Sequence, residues 1–158
     1  EPLRAADCAP SADGGVAVIL AAGDRANDLC DRPAWIRGID HRIDPHTLGV
    51  RPLAAAPSAG LAAANAGLLE RPVDVAELHA PYTTQEVILR RELELGDGVA
   101  ISPSGGALAA DTMMASGLMR IADAARAIWR GDAERAAAHA TAGPLLQQNL
   151  VCVLEGGA

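Results

Sequence analysis

The sequence of 158 residues contains no Phe and no Lys, a single Tyr and two Trp. All 13 basic residues are Arg, and the 20 acidic residues give a formal net charge of −7. A surface that binds nucleic acid needs an excess of basic residues, and stacking of unpaired bases needs aromatic rings. We therefore expect no nucleic-acid partner.

Long apolar runs are also absent. The longest strongly apolar run, residues 16–22, is far shorter than the roughly 20 apolar residues that a membrane-spanning helix requires. The first residues show no basic start followed by an apolar stretch, so no signal peptide is visible. We expect no membrane span and a cytoplasmic protein.

Cysteine is scarce and has no paired spacing. Cys8, Cys30 and Cys152 are far apart, odd in number and form no Cys-x-x-Cys pair. This pattern disfavours both a disulfide framework and a zinc knuckle. His41 and His46 share a loop with two aspartates, but their spacing is not that of a metal site. We expect no bound metal ion.

What the sequence does contain is an alternation of short apolar segments with helical patterns. Strands are predicted at residues 16–20, 35–40, 73–79 and 150–154, and helices at residues 57–67, 83–96 and 112–130. The run at 16–20 is apolar, rich in β-branched residues and bounded by glycines, which indicates a strand buried on both faces. Residues 136–140 have helix propensity. The alternation predicts an α/β protein with a mostly parallel sheet covered by helices.

Two segments have the residue types of a functional site. His79 stands at the end of a predicted strand and directly before a helix, where parallel sheets place their ligands. It could position a water or move a proton, although a structural histidine fits the same place. In residues 102–106, Gly105 and Gly106 would allow close approach of backbone to a ligand, and the next helix start offers free N–H groups. A tight turn is the alternative interpretation of that segment.

Taken in order, these segments resemble the C-terminal half of a thiolase, of the lipid-transfer or sterol-carrier type. The motifs that carry the resemblance are Pro2-Leu3-Arg4 followed by Asp7-Cys8, Ser11-Ala12-Asp13-Gly14-Gly15, Val75-Ala76-Glu77-Leu78-His79, Ser102-Pro103-Ser104-Gly105-Gly106-Ala107-Leu108 and Ala115-Ser116-Gly117-Leu118. They extend over nearly the whole chain and occur in the order typical of the family.

The resemblance implies a fold. The family has a βαβαβαββ half-domain with a mixed, mostly parallel five-stranded sheet covered by helices. Residues 1–158 would form one such C-terminal domain, and the N-terminal half would be absent from this chain. Against the local helix propensity, the resemblance also implies that residues 135–141 form a strand paired with residues 150–155, since tertiary pairing can override propensity.

The resemblance also implies a chemistry. Thiolases form or cleave carbon–carbon bonds next to a coenzyme A thioester, so acyl-CoA would be the substrate and no other cofactor is expected. His79 falls on the position of a residue that helps to build an oxyanion hole. Ser104, Gly105 and Gly106 fall on the loop that lies near the thioester and the pantetheine arm, and are expected to bind substrate.

Several thiolase motifs are missing. Residues 107–117 replace the motif with the catalytic histidine, and the position of an acid/base cysteine is occupied by Pro81, which cannot transfer a proton. Residues 143–149 replace a glycine-rich loop that carries another such cysteine, and Cys152 lies inside the following predicted strand. The nucleophile would belong to the missing half. Ordinary thiolysis by this chain is therefore not expected.

Three hypotheses remain. The first is an enzyme half that cleaves β-hydroxyacyl-CoA by a retro-aldol reaction in lipid or steroid side-chain metabolism, with His79 and Tyr82 as catalytic residues. The second is a non-catalytic scaffold subunit, and the third is conventional acetyl-CoA acyltransferase activity. The resemblance further implies a partner subunit, which is either an N-terminal thiolase half or a second copy of this chain in a homodimer. It also implies a small OB-fold zinc-ribbon protein as a possible further partner. Arg37, Arg42 and Arg51 could contact phosphates or be ordinary surface residues.

Overall fold

The structure, a computed structural model, describes residues 3–47, 49–143 and 145–157. Pro2 and Pro144, which belong to the segments quoted above, lie outside these ranges. Within the described ranges, no helix is both long enough and apolar enough to cross a membrane.

Five strands form one mixed sheet. They are β1 (Trp35–Ile43), β2 (Val75–Glu77), β3 (Ala100–Ile101), β4 (Arg135–Ala142) and β5 (Gln148–Glu155), in the order β1-β5-β4-β2-β3. Strand β2 is parallel to β3 and β4, whereas β5 is antiparallel to β1 and β4. A five-stranded α/β sheet is confirmed. The prediction of a mixed, mostly parallel sheet is also confirmed, because β1, β4, β2 and β3 run in one direction and only β5 runs in the opposite one.

Helices connect and cover the strands. They are α1 (Gly23–Leu29), α2 (Pro57–Asn65), α3 (Thr83–Glu92), α4 (Gly106–Ala109) and α5 (Ser116–Arg130), with 3-10 turns at Ala5–Asp7, Leu68–Glu70 and Met113–Ala115. The long helix α5 ends at Gly131, whose φ of 79° is the left-handed conformation that terminates helices and favours glycine. Helix α3 begins after Tyr82, and no side chain caps it.

The helices lie on the two faces of the sheet and enclose two apolar clusters. Helices α2 and α3 pack on one face with Leu78, Val151 and Val153. Helix α5 packs on the other face with Cys152 and Leu154. We call these faces the α2 side and the α5 side. Because side chains alternate along a strand, every strand in the middle of the sheet contributes to both clusters.

Strand β4 forms despite a sequence that favours helix. Ala136, Ala137 and Ala138 are all buried, and the strand pairs with β2 on one edge and with β5 on the other. Hydrogen bonding along both edges, together with burial on both faces, outweighs the preference of alanine for helix. The small side chains also let α5 approach closely: a Cβ at Gly117 would lie 2.8 Å from that of Ala140.

The first predicted strand is absent. Residues 12–22 form neither helix nor strand, and the side chains of Ile19 and Leu20 are 91% and 78% exposed. A strand needs a neighbour for its backbone N–H and C=O groups, and no segment among the described residues pairs with this run. Instead the short strand Ala100–Ile101 completes the sheet, and its two residues are too few to show any periodicity in the sequence.

Candidate functional site

The candidate site lies where β2 ends. Strand alternation directs Leu78 and Ala80 into the apolar cluster on the α2 side, so Glu77 and His79 face the α5 side. Both are buried: Glu77 is 1% exposed and His79 is 7% exposed. The predicted position of His79 at a strand end, directly before a helix, is therefore what the structure contains.

One hydrogen bond orients the His79 ring. The Thr141 N–H donates to Nδ1 at 3.3 Å, so in the neutral ring the proton lies on Nε2. Burial lowers the pKa of His79, the nearby Arg120 lowers it further, and Asp111 opposes both. The ring is consequently a neutral imidazole near pH 7, with Nε2–H as a donor. Nε2 lies 3.7 Å from Asp111 Oδ1.

Asp111 is held in place from several directions. Its backbone N–H donates to Pro10 O at 3.0 Å, and its carbonyl accepts from Ala12 N at 3.0 Å. Its side-chain Oδ1 accepts from Ser116 Oγ at 2.7 Å and from Met113 N at 3.0 Å. The sequence analysis did not single out this residue. An acidic residue just before a predicted long helix was the available signal.

A shallow groove opens beside Asp111. The turn that follows the aspartate forms one wall, and the N-terminal segment that pairs with it forms the other. The lining residues are Ser11, Ala12, Asp13, Asp111, Thr112 and Met113, and the groove volume is about 330 Å³. Met113 has a φ of 51°, a strained conformation for a residue other than glycine. Strain of this kind is often found at functional sites.

The glycine-containing loop is joined directly to the strand that carries His79. Ser104 Oγ donates to Glu77 Oε2 at 2.7 Å, its backbone N–H donates to Oε1 at 3.1 Å, and Leu78 N donates to Ser102 Oγ at 3.1 Å. The Ser104 hydroxyl is therefore already bonded within the protein. The proposed substrate-binding role of Ser104 stays a prediction.

Gly105 and Gly106 form the turn that leads into α4. Their φ angles are 95° and 61°, in the left-handed region that favours glycine. A Cβ at Gly106 would also lie 2.9 Å from the Cβ of Ser102. The turn thus requires both glycines, in agreement with the alternative interpretation of this segment. Their contact with substrate stays a prediction.

A buried ion pair lies behind the loop. Arg120, which is 4% exposed, places Nη1 3.7 Å from Glu77 Oε2 and Nη2 2.9 Å from Asp123 Oδ2. Burial raises the pKa of Glu77, while its hydrogen bonds from Ser104 and the Arg120 charge oppose the rise. Among the described residues, Nε and Nη1 of Arg120 donate no hydrogen bond. The Arg120 charge is thus paired with two carboxylates, but two of its nitrogens keep unused hydrogen-bond donors.

Tyr82 is separate from this cluster. It immediately precedes α3, its backbone bridges that of Cys8, and its side chain is 44% exposed. Among the described residues, no hydrogen bond joins the Tyr82 and His79 side chains. The predicted catalytic role of Tyr82 stays a prediction, and the carboxylate that lies near the His79 ring is that of Asp111.

The arginines considered as phosphate ligands have partners within the chain. Arg37 pairs with Glu155, Arg42 pairs with Asp40, and Arg51 donates to the carbonyl oxygens of Ala55 and Leu145. These contacts agree with the interpretation of the three arginines as ordinary surface residues.

The cysteines and the metal-ligating residue types form no second centre in the described part of the chain. The three cysteines are free. Burial raises the pKa of the Cys152 thiol to about 11, so it remains protonated at neutral pH and is a poor nucleophile. Within the described ranges, no group of three or more His, Cys, Asp or Glu residues is arranged to hold a metal ion.

Comparison with known proteins gives two likenesses. Over 157 aligned residues the chain is 28% identical to an acetyl-CoA acetyltransferase of Methanothermobacter thermautotrophicus, which covers 84% of this chain and 40% of that protein. The chain also superposes on the solved structure of the Ltp2-ChsH2(DUF35) aldolase with a TM-score of 0.77 and 20% identity, over 99% of this chain and 48% of that one. No family model matches.

These likenesses support a thiolase-like or DUF35 fold for the chain. The chain spans less than half the length of either relative. The activity of the whole relatives is therefore a matter for proposal.

Proposed function

We propose that this chain is the C-terminal half of a thiolase-like protein of the lipid-transfer type, and that it takes part in retro-aldol cleavage of a β-hydroxyacyl-CoA thioester. The acyl group would be a lipid or a steroid side chain. The fold likeness to an aldolase and the sequence likeness to an acetyl-CoA acetyltransferase support both the thioester substrate and the carbon–carbon bond as the reacting bond.

The observation that carries the proposal is the neutral His79 ring, whose N–H is on Nε2 and directed toward Asp111 beside the groove. Retro-aldol cleavage converts a thioester into an enolate and therefore needs a donor for the enolate oxygen. A neutral imidazole N–H supplies that donor without losing its proton. The reaction needs no acyl-cysteine, which is consistent with the high pKa of the Cys152 thiol.

The proposal includes a complementary half, on a separate chain or in a second copy of this one. Two observations support it: the chain spans less than half of each relative, and the apolar run at residues 16–20 is exposed. Ile19 and Leu20, adjacent and 91% and 78% exposed, would be covered by that half. A small OB-fold zinc-ribbon protein is a further proposed partner.

A scaffold without catalytic activity is the second candidate. Met113 and Met114 are 68% and 95% exposed beside the groove, where they could contact a partner protein instead of a substrate. Conventional acetyl-CoA acyltransferase activity is the third candidate, and it is supported by the curated relative alone. It would require a nucleophile from the complementary half.

The test combines the chain with the proteins encoded beside its gene and adds 3-hydroxybutyryl-CoA or 3-hydroxyoctanoyl-CoA. Release of an aldehyde together with a shortened acyl-CoA is the expected result. His79→Ala should reduce the rate at least about 100-fold, as is typical of a lost oxyanion donor, and Tyr82→Phe tests the second predicted residue. Binding of the CoA ester without turnover in any combination would favour the scaffold.

A further inference from the structure

We propose that Asp111 accepts the hydroxyl proton of the β-hydroxyacyl thioester, while His79 binds the thioester oxygen. This inference rests on the retro-aldol function proposed above and assigns its base. Asp111 lines the groove, and its side chain is 22% exposed, whereas that of His79 is 9% exposed. The carboxylate is thus the more accessible of the two groups.

The hydrogen bonds of Asp111 leave one of its oxygens available. Among the described residues, the bonds to its carboxylate come from Ser116 Oγ and Met113 N, and both end on Oδ1. Together with the backbone bonds to Pro10 and Ala12, they anchor the residue, and Oδ2 has no hydrogen-bond partner in the described part of the chain. A general base must be held within hydrogen-bonding reach of the proton that it removes, and this aspartate is anchored through both its backbone and its side chain.

The spacing of the two groups suits a β-hydroxy thioester. His79 Nε2 lies 3.7 Å from Asp111 Oδ1, too far for a direct hydrogen bond. Because Oδ2 belongs to the same carboxylate, the imidazole N–H and Oδ2 are close enough to contact two neighbouring oxygens of one substrate. In a β-hydroxy thioester the hydroxyl and carbonyl oxygens are on carbons separated by a single carbon, so they can approach hydrogen-bonding distance. One oxygen would accept from Nε2–H and the other would donate to the carboxylate.

The proposed step is balanced without any further reactant. The Asp111 carboxylate takes the hydroxyl proton, the O–H electron pair forms the new C=O bond, and the bond between Cα and Cβ breaks. The electrons of that bond form the enolate, whose oxygen is bound by His79 Nε2–H. The protonated Asp111 then returns the proton to Cα, which yields the shortened acyl thioester and regenerates the carboxylate.

The local charges favour this transfer. One negative charge moves from Asp111 to the enolate oxygen, so the net charge of the site does not change. Near the receiving end, the buried guanidinium of Arg120 pairs with Glu77, which lies two residues before His79 on the same side of the sheet, and its charge is one of the groups that act on the His79 ring. A fixed positive charge in a buried environment stabilises a developing anion more than it would in water.

The experiment compares Asp111→Asn with Asp97→Asn in the chain combined with its complementary half, using 3-hydroxybutyryl-CoA. Asp97 lies in an exposed turn before β3, at the opposite end of the parallel strands, so it is a control with the same change of charge. Asp111→Asn should lower kcat by at least about 100-fold, as expected for loss of a general base, with little change in the Kd of the CoA ester. Asp97→Asn should retain full activity.

The outcomes separate the two proposals. Absence of cleavage by the wild-type assembly would overturn the retro-aldol function, and the role of Asp111 with it. Cleavage by the wild type with more than a tenth of the activity left in Asp111→Asn would overturn the role of Asp111 alone. Should Asp111→Asn fail to fold, Asp111→Glu decides the point, because it keeps the charge but displaces the carboxylate by one methylene. Full activity of that variant contradicts a precisely positioned base.

Discussion

The two buried histidines of the sheet occupy opposite faces and have different surroundings. His79, on the α5 side, has one nitrogen bonded to the Thr141 N–H and the other near Asp111 at the groove. His139, on the α2 side, is 1% exposed, and its Nε2 bonds to Asn149 Oδ1 at 2.8 Å. Burial lowers the pKa of both rings. The direction of the pKa shift therefore does not distinguish a candidate functional histidine from a structural one.

What distinguishes them is where the polar groups next to them lie. From His139 the chain continues through Asn149 to Ser58 Oγ at 2.7 Å and on to Asp44, all of them buried. This chain ties β4 and β5 to the start of α2 and ends inside the protein. No such chain of hydrogen bonds continues from His79 among the described residues, and its Nε2 lies 3.7 Å from the Asp111 carboxylate, which lines a groove. The accessibility of the neighbouring polar group therefore separates the candidate site from the enclosed network.

The largest effect is expected when the buried hydrogen-bond chain that starts at His139 is broken. Asn149→Leu removes the partner of His139 Nε2, of Ser58 Oγ and of the Leu146 carbonyl, and it leaves buried polar groups unsatisfied. We expect a loss of about 3 kcal/mol in the free energy of unfolding, measured by urea denaturation. The exposed Asn65→Leu is the matched control and should cost less than about 1 kcal/mol. Equal losses in the two variants would show that the network is not stabilising.

A comparable effect is expected on acidification. Burial lowers the pKa of His139 from 6.5 to about 4, so between these pH values only the unfolded chain takes up a proton at this residue. The contribution of His139 to the free energy of unfolding is fully present above pH 6.5. It decreases by about 3 kcal/mol in total as the pH drops to about 4. The raised pKa of Glu77 acts in the opposite direction. Urea denaturation at stepped pH should show a smaller slope for His139→Gln, and an unchanged slope would contradict the prediction.

A smaller effect is expected at the candidate site around His79. Ser104→Ala removes a hydrogen bond to the buried Glu77 carboxylate and should cost about 1–2 kcal/mol in the free energy of unfolding. If the hydroxyl serves only to hold the loop, the Kd for an acyl-CoA, measured by calorimetry, should change less than about threefold. A tenfold weaker Kd without any loss of stability would instead support the predicted contact of Ser104 with substrate.

The sequence predicted the parts of this arrangement that depend on neighbouring residues. Strand β2, the position of His79 at its end and the course of α5 follow from local alternation and helical spacing. Strand β4 did not follow from local pattern, because its alanines favour helix and only its two neighbours make it a strand. The resemblance to a family supplied that pairing.

Other parts could not be predicted from local pattern. The apolar run at 16–20 has the composition of a buried strand, but no strand among the described residues pairs with it. Asp111 was missed because its role depends on contacts with Pro10, about a hundred positions away in the sequence, and with His79. Tyr82 was selected because it stands one helix turn from the strand end, and its catalytic role stays a prediction.

The bridge between Ser11 and Asp111 also has a consequence for folding and for dynamics. Contacts between distant positions in the chain form at a high entropic cost and therefore late in folding. The N-terminal segment is joined to the rest by few hydrogen bonds, so it is expected to open locally at a free energy well below that of global unfolding. The candidate site would then be well ordered only while this segment is docked. Amide hydrogen exchange at Ala12 and Asp111 would report the opening directly.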